Sequence, residues 1–163
     1  MKFDDQHQFS RPPATLLKMF TDQKYFERKY KALPGVKNFE VLECETRGTK
    51  FHIKHRSAQK ADIPLPDFAK KFVSDSMLVT QTDSWDTATG LGRLEVEVKG
   101  MPMKISADMK VEASGKGSTN SFKWNVSAGI PLIGGKLEKL LADDIKTKSA
   151  TDMAETAKLL KDY

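Results

Sequence analysis

The C-terminal stretch restricts the fold more than any other part of the chain. From Ile133 to Leu160 there is no proline, and the last glycine is Gly135. Ile133, Leu137, Leu140, Leu141, Ile145, Met153, Ala157 and Leu160 recur mostly in steps of three and four, which draws one apolar stripe along a helix. Such a helix is roughly 40 Å long at about 1.5 Å per residue. Its stripe has to be covered by a surface of comparable length.

The middle of the chain supplies that surface. Leu94, Val96 and Val98 alternate with Arg93, Glu95 and Glu97. Ile105, Ala107, Met109 and Val111 alternate with Lys104, Ser106, Asp108 and Lys110, and Phe122, Trp124, Val126 and Ala128 with Lys123, Asn125 and Ser127. A period of two with one apolar side marks strands with one wet face. Phe39 and Val41, then Phe51, Ile53 and His55 after the Arg47-Gly48 turn, and the segment Met77 to Trp85 extend the series. The connections at Thr89-Gly90, Gly100-Met101-Pro102 and Gly115-Lys116-Gly117 are too short for parallel crossovers, so the sheet is antiparallel. It has roughly seven strands by the count of alternating segments.

Ahead of the sheet, Met1 to Phe9 reads as a first strand. Ser10 before Arg11-Pro12-Pro13 reads as a polar cap followed by prolines of a first helical turn. Leu16, Leu17 and Phe20 form one face of that helix. Asp22 caps a second, carrying Phe26, Tyr30 and Leu33, and Pro34-Gly35 stops it. Between the third and fourth strands, Ile63-Pro64-Leu65-Pro66-Asp67 reads as a rigid turn, and Phe68 and Phe72, four apart, as a short helix.

At 163 residues the chain is expected to be a single domain over 1–163, α+β in class, with a curved sheet wrapped around the C-terminal helix. The opening MKFDDQHQFSRPP lacks a signal-peptide pattern and Cys44 has no second cysteine to pair with, so a cytoplasmic location is expected. Net charge is +5, but acids and bases are interleaved along the chain. The densest basic stretch, Phe51 to Arg56, alternates with apolar residues and reads as a solvated strand face. Nucleic acid is not expected as a partner, since the aromatics sit at core spacing.

The order strand, two short helices, six strands and one long helix resembles the helix-grip fold of the START-like superfamily (SRPBCC), which includes birch-pollen-allergen-like proteins, lipid-transfer domains and polyketide cyclases. Ile63-Pro64-Leu65-Pro66-Asp67-Phe68, Val79-Thr80-Gln81-Thr82-Asp83-Ser84-Trp85 and Ile130-Pro131-Leu132-Ile133-Gly134-Gly135-Lys136-Leu137-Glu138 further resemble an uncharacterised bacterial family within it. The resemblance implies a hydrophobic pocket between sheet and helix. It supplies no catalytic residue, because that superfamily does not share one.

The expected function is therefore binding or transport of a small hydrophobic molecule, a lipid among the candidates, with no cofactor implied. The expected lining is Phe51, Ile53, Val96, Ile105, Met109, Trp124, Leu141 and Ile145, with His55 as the inward polar group. Trp85 and Phe122 stand between pocket lining and plain core. Ala142, Ala150, Ala154 and Ala157 leave space along the helix, for a ligand or for close packing. One alternative is a cyclase- or hydrolase-type enzyme using His55 with an inward carboxylate such as Asp83. Another is a protein-interaction module built on the apolar loops Ile63-Pro64-Leu65-Pro66 and Met101-Pro102-Met103, tips that also admit transient membrane contact.

Other motifs are weaker. His52 and His55 are three apart on a strand and point to opposite faces, so they cannot chelate one ion. Neither Gly134-Gly135-Lys136 nor Gly115-Lys116-Gly117 matches a phosphate loop; the first reads as a sharp turn into the long helix. Cys44 lies between glutamates, which disfavours a thiolate.

Overall fold

The alternating segments become the strands of one sheet. The computed structural model, which describes residues 1–60, 64, 66–71 and 75–163 (backbone alone at 68 and 69), runs β1 (Lys2–Phe9), α1 (Pro13–Phe20), α2 (Gln23–Ala32), β2 (Val36–Arg47), β3 (Lys50–Lys60), α3 (Asp67–Lys70), β4 (Ser76–Asp86), β5 (Leu91–Val98), β6 (Met103–Ser114), β7 (Gly117–Ala128) and α4 (Gly134–Leu160). Seven strands pair antiparallel in the order β1-β7-β6-β5-β4-β3-β2. The register places Leu94 and Val98 inside and leaves Glu95 and Glu97 exposed, as the alternation predicts. Of the segment between β3 and β4, Asp67–Lys70 is helical, while Ile63, Leu65 and Phe72 lie outside the described residues.

The sheet curls around α4, a single helix of 27 residues that lies against β7, β1 and α2. Leu137, Leu141 and Leu160 are buried on it, each contributing about 1.5–3 kcal/mol through apolar burial. The helix departs from expectation in its apolar stripe and in its small residues. Ala157 is exposed and Thr156 is buried in its place, because the Tyr25 hydroxyl, 3.1 Å away, gives Thr156 a polar partner. Ala150 and Ala154 also face outward, so of the small helix residues only Ala142 is buried.

α1 and α2 cover the other part of the concave face. α1 starts at Pro13 with Pro12 in the cap position, where the prolines' fixed φ begins the helix without a side-chain bond; Ser10 is not the cap. Asp22 does cap α2, accepting a hydrogen bond from Lys24 N at 3.0 Å. Opposite β3, β2 shifts register twice, and Asn38 adopts a left-handed φ of 55° at the first irregularity. The turn into α4 is made by Leu132 at φ 68° rather than by the glycine pair. Gly134 serves instead for close approach: a Cβ there would lie 2.5 Å from the Ala128 carbonyl oxygen. Among the described residues no helix is long and apolar enough to cross a membrane.

Candidate functional site

Between the sheet and α4 lies a cavity of about 260 Å³. Inward positions of five neighbouring strands build its wall: Gln81 and Asp83 on β4, Leu94 and Val96 on β5, Ile105 and Met109 on β6, Phe122 and Trp124 on β7, His7 on β1. α4 supplies the roof through Leu141, Ile145, Ser149 and Met153, and α2 closes one end with Tyr25, Lys29 and Tyr30. Neighbouring strands lie only about 4.8 Å apart, so residues far apart in sequence share one apolar surface.

Six of the nine residues expected at the site line this cavity: Val96, Ile105, Met109, Trp124, Leu141 and Ile145. Trp85 and Phe122 line it too. Phe51, Ile53 and His55 are inward and buried but are not brought to it, because α2 lies over this side of the sheet. Phe51 stacks on Phe26 of α2 with centroids 6.4 Å apart. His55 is boxed by Tyr30, Phe39 and Phe26 at 4.6, 5.1 and 5.8 Å.

His55 nonetheless reaches the site through a neighbour. Its Nε2 lies 3.4 Å from Asp83 Oδ2, within ion-pair reach but not aligned for a hydrogen bond. Asp83 is 6% exposed, sits on the cavity wall and accepts a hydrogen bond from Gln81 Nε2 at 2.8 Å. His52, three residues away, points outward to Glu43 at 3.5 Å, so the two imidazoles do face opposite sides.

At the α2 end, Lys29 is buried. Its Nζ lies 2.9 Å from Asp152 Oδ2 of α4 and over the rings of Tyr25 and Tyr30. Burial opposes its charge, but Asp152 and the two phenols outweigh that, and its pKa is held well above the ordinary lysine value. Burial also raises both phenols above the usual tyrosine range, with Lys29 pulling them partly back. This polar pin ties α2 to α4 across the cavity.

Sequence reasoning missed the other polar cluster. Ser149 Oγ of α4 donates to Asp5 Oδ2 at 2.7 Å and stands 2.9 Å from His7 Nε2. Asn120 is also on the wall, with no hydrogen-bond partner for Oδ1 among the described residues, and Trp124 Nε1 is likewise unpartnered. A buried polar atom left so costs about 1–3 kcal/mol. The available signal was the run of polar residues at inward positions of β1 and β7, Asp5, His7, Ser118 and Asn120.

The apolar loop at Met101 packs down rather than out. Met103 is buried on the cavity wall and Met101 is half-buried, while Leu132 is fully exposed. A larger open depression of about 740 Å³ lies around Glu45, Lys50, His52, Asp86 and Arg93. Its cations are paired: Lys50 sits 3.0 Å from Asp86, Arg47 2.5 Å from Glu45, and Arg93 2.8 Å from Asp108 outside the depression. The hydrogen bond from Lys50 pulls the Asp86 carboxyl down to about 2.

A curved antiparallel sheet gripping one long C-terminal helix, with two short helices after the first strand, defines the helix-grip fold. Solved structures agree over nearly the full chain. The Thermus thermophilus protein TTHA0849 matches with TM-score 0.68 at 15% identity, over 98% of this chain and 97% of that one. Ara h 8.0201 matches with TM-score 0.66 at 16% identity, over 100% and 99%. The Zhui aromatase/cyclase of Streptomyces sp. R1128 matches with TM-score 0.67 at 10% identity, over 99% and 93%. No curated protein matches by sequence. The chain belongs to DUF2505, a family of proteins of unknown function, whose model matches residues 4–160.

Proposed function

We propose that this protein binds and carries a small hydrophobic molecule in the cavity between the sheet and α4. The observation behind the reading is the cavity itself: about 260 Å³ in size, with a wall led by Val96, Ile105, Met109 and Trp124 and a roof by Leu141 and Ile145. Ligand sites are apolar concavities with a few placed polar groups, usually of roughly 300–1,000 Å³, and this cavity lies just below that range. The molecule is accordingly small. Native mass spectrometry of the purified protein tests for a co-purified ligand, and uptake of N-phenyl-1-naphthylamine tests binding directly. Trp124→Ala and Ile145→Ala should weaken uptake more than they lower thermal stability. Stability collapsing with uptake unchanged would make both residues plain core, and no uptake by the wild type would remove the carrier reading.

A second reading, acid–base chemistry on a hydrophobic substrate of the cyclase or hydrolase kind, is favoured by the 3.4 Å approach of His55 Nε2 to Asp83 Oδ2 at the wall. In that reading Asp83 faces the substrate and His55 is a positioning residue behind it. One neighbour of the same fold is named an aromatase/cyclase. Turnover of an apolar ester that Asp83→Asn abolishes while probe uptake survives would support it.

A further inference from the structure

One corner of the cavity is polar, where β1, β7 and α4 meet. β1 and β7 pair with His7 opposite Asn120 and Asp5 opposite Phe122, all at inward positions. Asn120 is 4% exposed on the wall, with Oδ1 unpartnered among the described residues. From α4, the single proton of Ser149 Oγ goes to Asp5 Oδ2 at 2.7 Å. His7 Nε2, 2.9 Å from Ser149 Oγ, is then left as the donor to that oxygen, and it stands within ion-pair reach of Asp5 Oδ2 at 3.2 Å. Within the cluster the Ser149 and His7 protons are thus engaged, while Trp124 Nε1, a buried donor without a partner among the described residues, lies outside it, two residues beyond Phe122 on β7. What is left over is acceptor capacity: the Asn120 oxygen and the remaining lone pairs of Asp5. The Phe122 ring, 5.6 Å from the His7 ring and stacked on Trp124 at 5.8 Å, makes an apolar platform beside it.

The charges on the cavity wall point the same way. Asp5, Asp83, Asp144 and Asp152 stand against Lys29 and Lys148. Both lysines are held by aspartates, Lys29 by Asp152 at 2.9 Å and Lys148 by Asp144 at 2.8 Å. Asp5 and Asp83 have imidazoles beside them instead, His7 and His55. An ionised carboxylate head, which only accepts hydrogen bonds, would meet acceptors here.

We propose that this corner receives the hydrogen-bond-donating head of an amphipathic ligand, a hydroxyl or an ammonium, with Asn120 Oδ1 and Asp5 as acceptors and the apolar body lying against Val96, Ile105 and Trp124. The inference rests on the carrier reading and names the ligand class for that cavity. It is tested by displacing N-phenyl-1-naphthylamine with octanol, octylamine and octanoate, which match in chain length and differ in the head. Octanol or octylamine binds about tenfold more tightly than octanoate, the equivalent of one good hydrogen bond. Asn120→Leu, an apolar replacement of similar shape, removes most of that preference and leaves octanoate unchanged. Asp5→Asn weakens octylamine more than octanol if the head is an ammonium, and both alike if it is a hydroxyl. Octanoate binding as well as the other two, or an unchanged order in Asn120→Leu, overturns the inference while the carrier reading stands. Failure of the naphthylamine and all three chains to bind overturns both.

Discussion

Removing Asp152 should destabilise the protein more than removing Lys29, although the two form one ion pair. Lys29 is 8% exposed, whereas the Asp152 side chain is 45% exposed. Breaking a fully buried pair by deleting one partner costs about 3–5 kcal/mol, because the other charge is stranded. Asp152 already shares nearly half its surface with water, which screens the pair and roughly halves that figure, so Asp152→Asn is expected to cost about 2 kcal/mol. Lys29→Met leaves only the half-exposed Asp152 charge, which water can solvate, and keeps a flexible apolar chain against Tyr25 and Tyr30; it should cost under about 1 kcal/mol. At about 2–4 °C per kcal/mol for a chain of this size, the Tm values fall by about 4–8 °C and under about 4 °C respectively. Urea unfolding of both variants and the double variant gives the coupling directly. If Lys29→Met loses as much stability as Asp152→Asn, the stranded-charge argument is refuted.

Other contacts lead to three more expected outcomes. A Cβ at Gly92 would lie 2.6 Å from the Trp85 ring and 2.8 Å from the Ser84 carbonyl oxygen, so Gly92→Val should cost about 1–3 kcal/mol through overpacking; an unchanged Tm would contradict it. Leu132 is fully exposed at φ 68°, and Leu132→Gly relieves about 1–2 kcal/mol of left-handed strain, offset by the roughly 0.5–1 kcal/mol of added chain entropy that glycine brings. Thermal melts should show that variant at least as stable as the wild type. Lys29, Tyr25, Tyr30 and Tyr163 all have raised pKa values in the folded state; their contribution is fully present below the unfolded values of about 10 and is lost as pH rises beyond them. Stability should therefore be flat near neutrality and fall above about pH 10, and a Tm unchanged between neutral pH and strong alkali would exclude this.

Period and punctuation settled the secondary structure in advance. Side-chain direction on a strand or helix is a local property, so Leu94 facing in and Glu95 facing out, the uninterrupted span of α4, and the Asp22 cap could all be read from neighbouring residues. Facing inward, however, does not say toward what. His55 points inward as its strand pattern requires, yet meets three aromatic rings because α2 lies over that side of the sheet. Ser149 reaches Asp5 across 144 residues of chain, and Lys29 reaches Asp152 across 123. No periodicity links positions so far apart. The elements and the apolar face of each were legible in the residue order, because both depend on backbone geometry over a few residues. Which inward residues border a cavity, and which polar groups meet there, came from the closing of the sheet over α2 and α4, which brings distant segments within a side chain's reach.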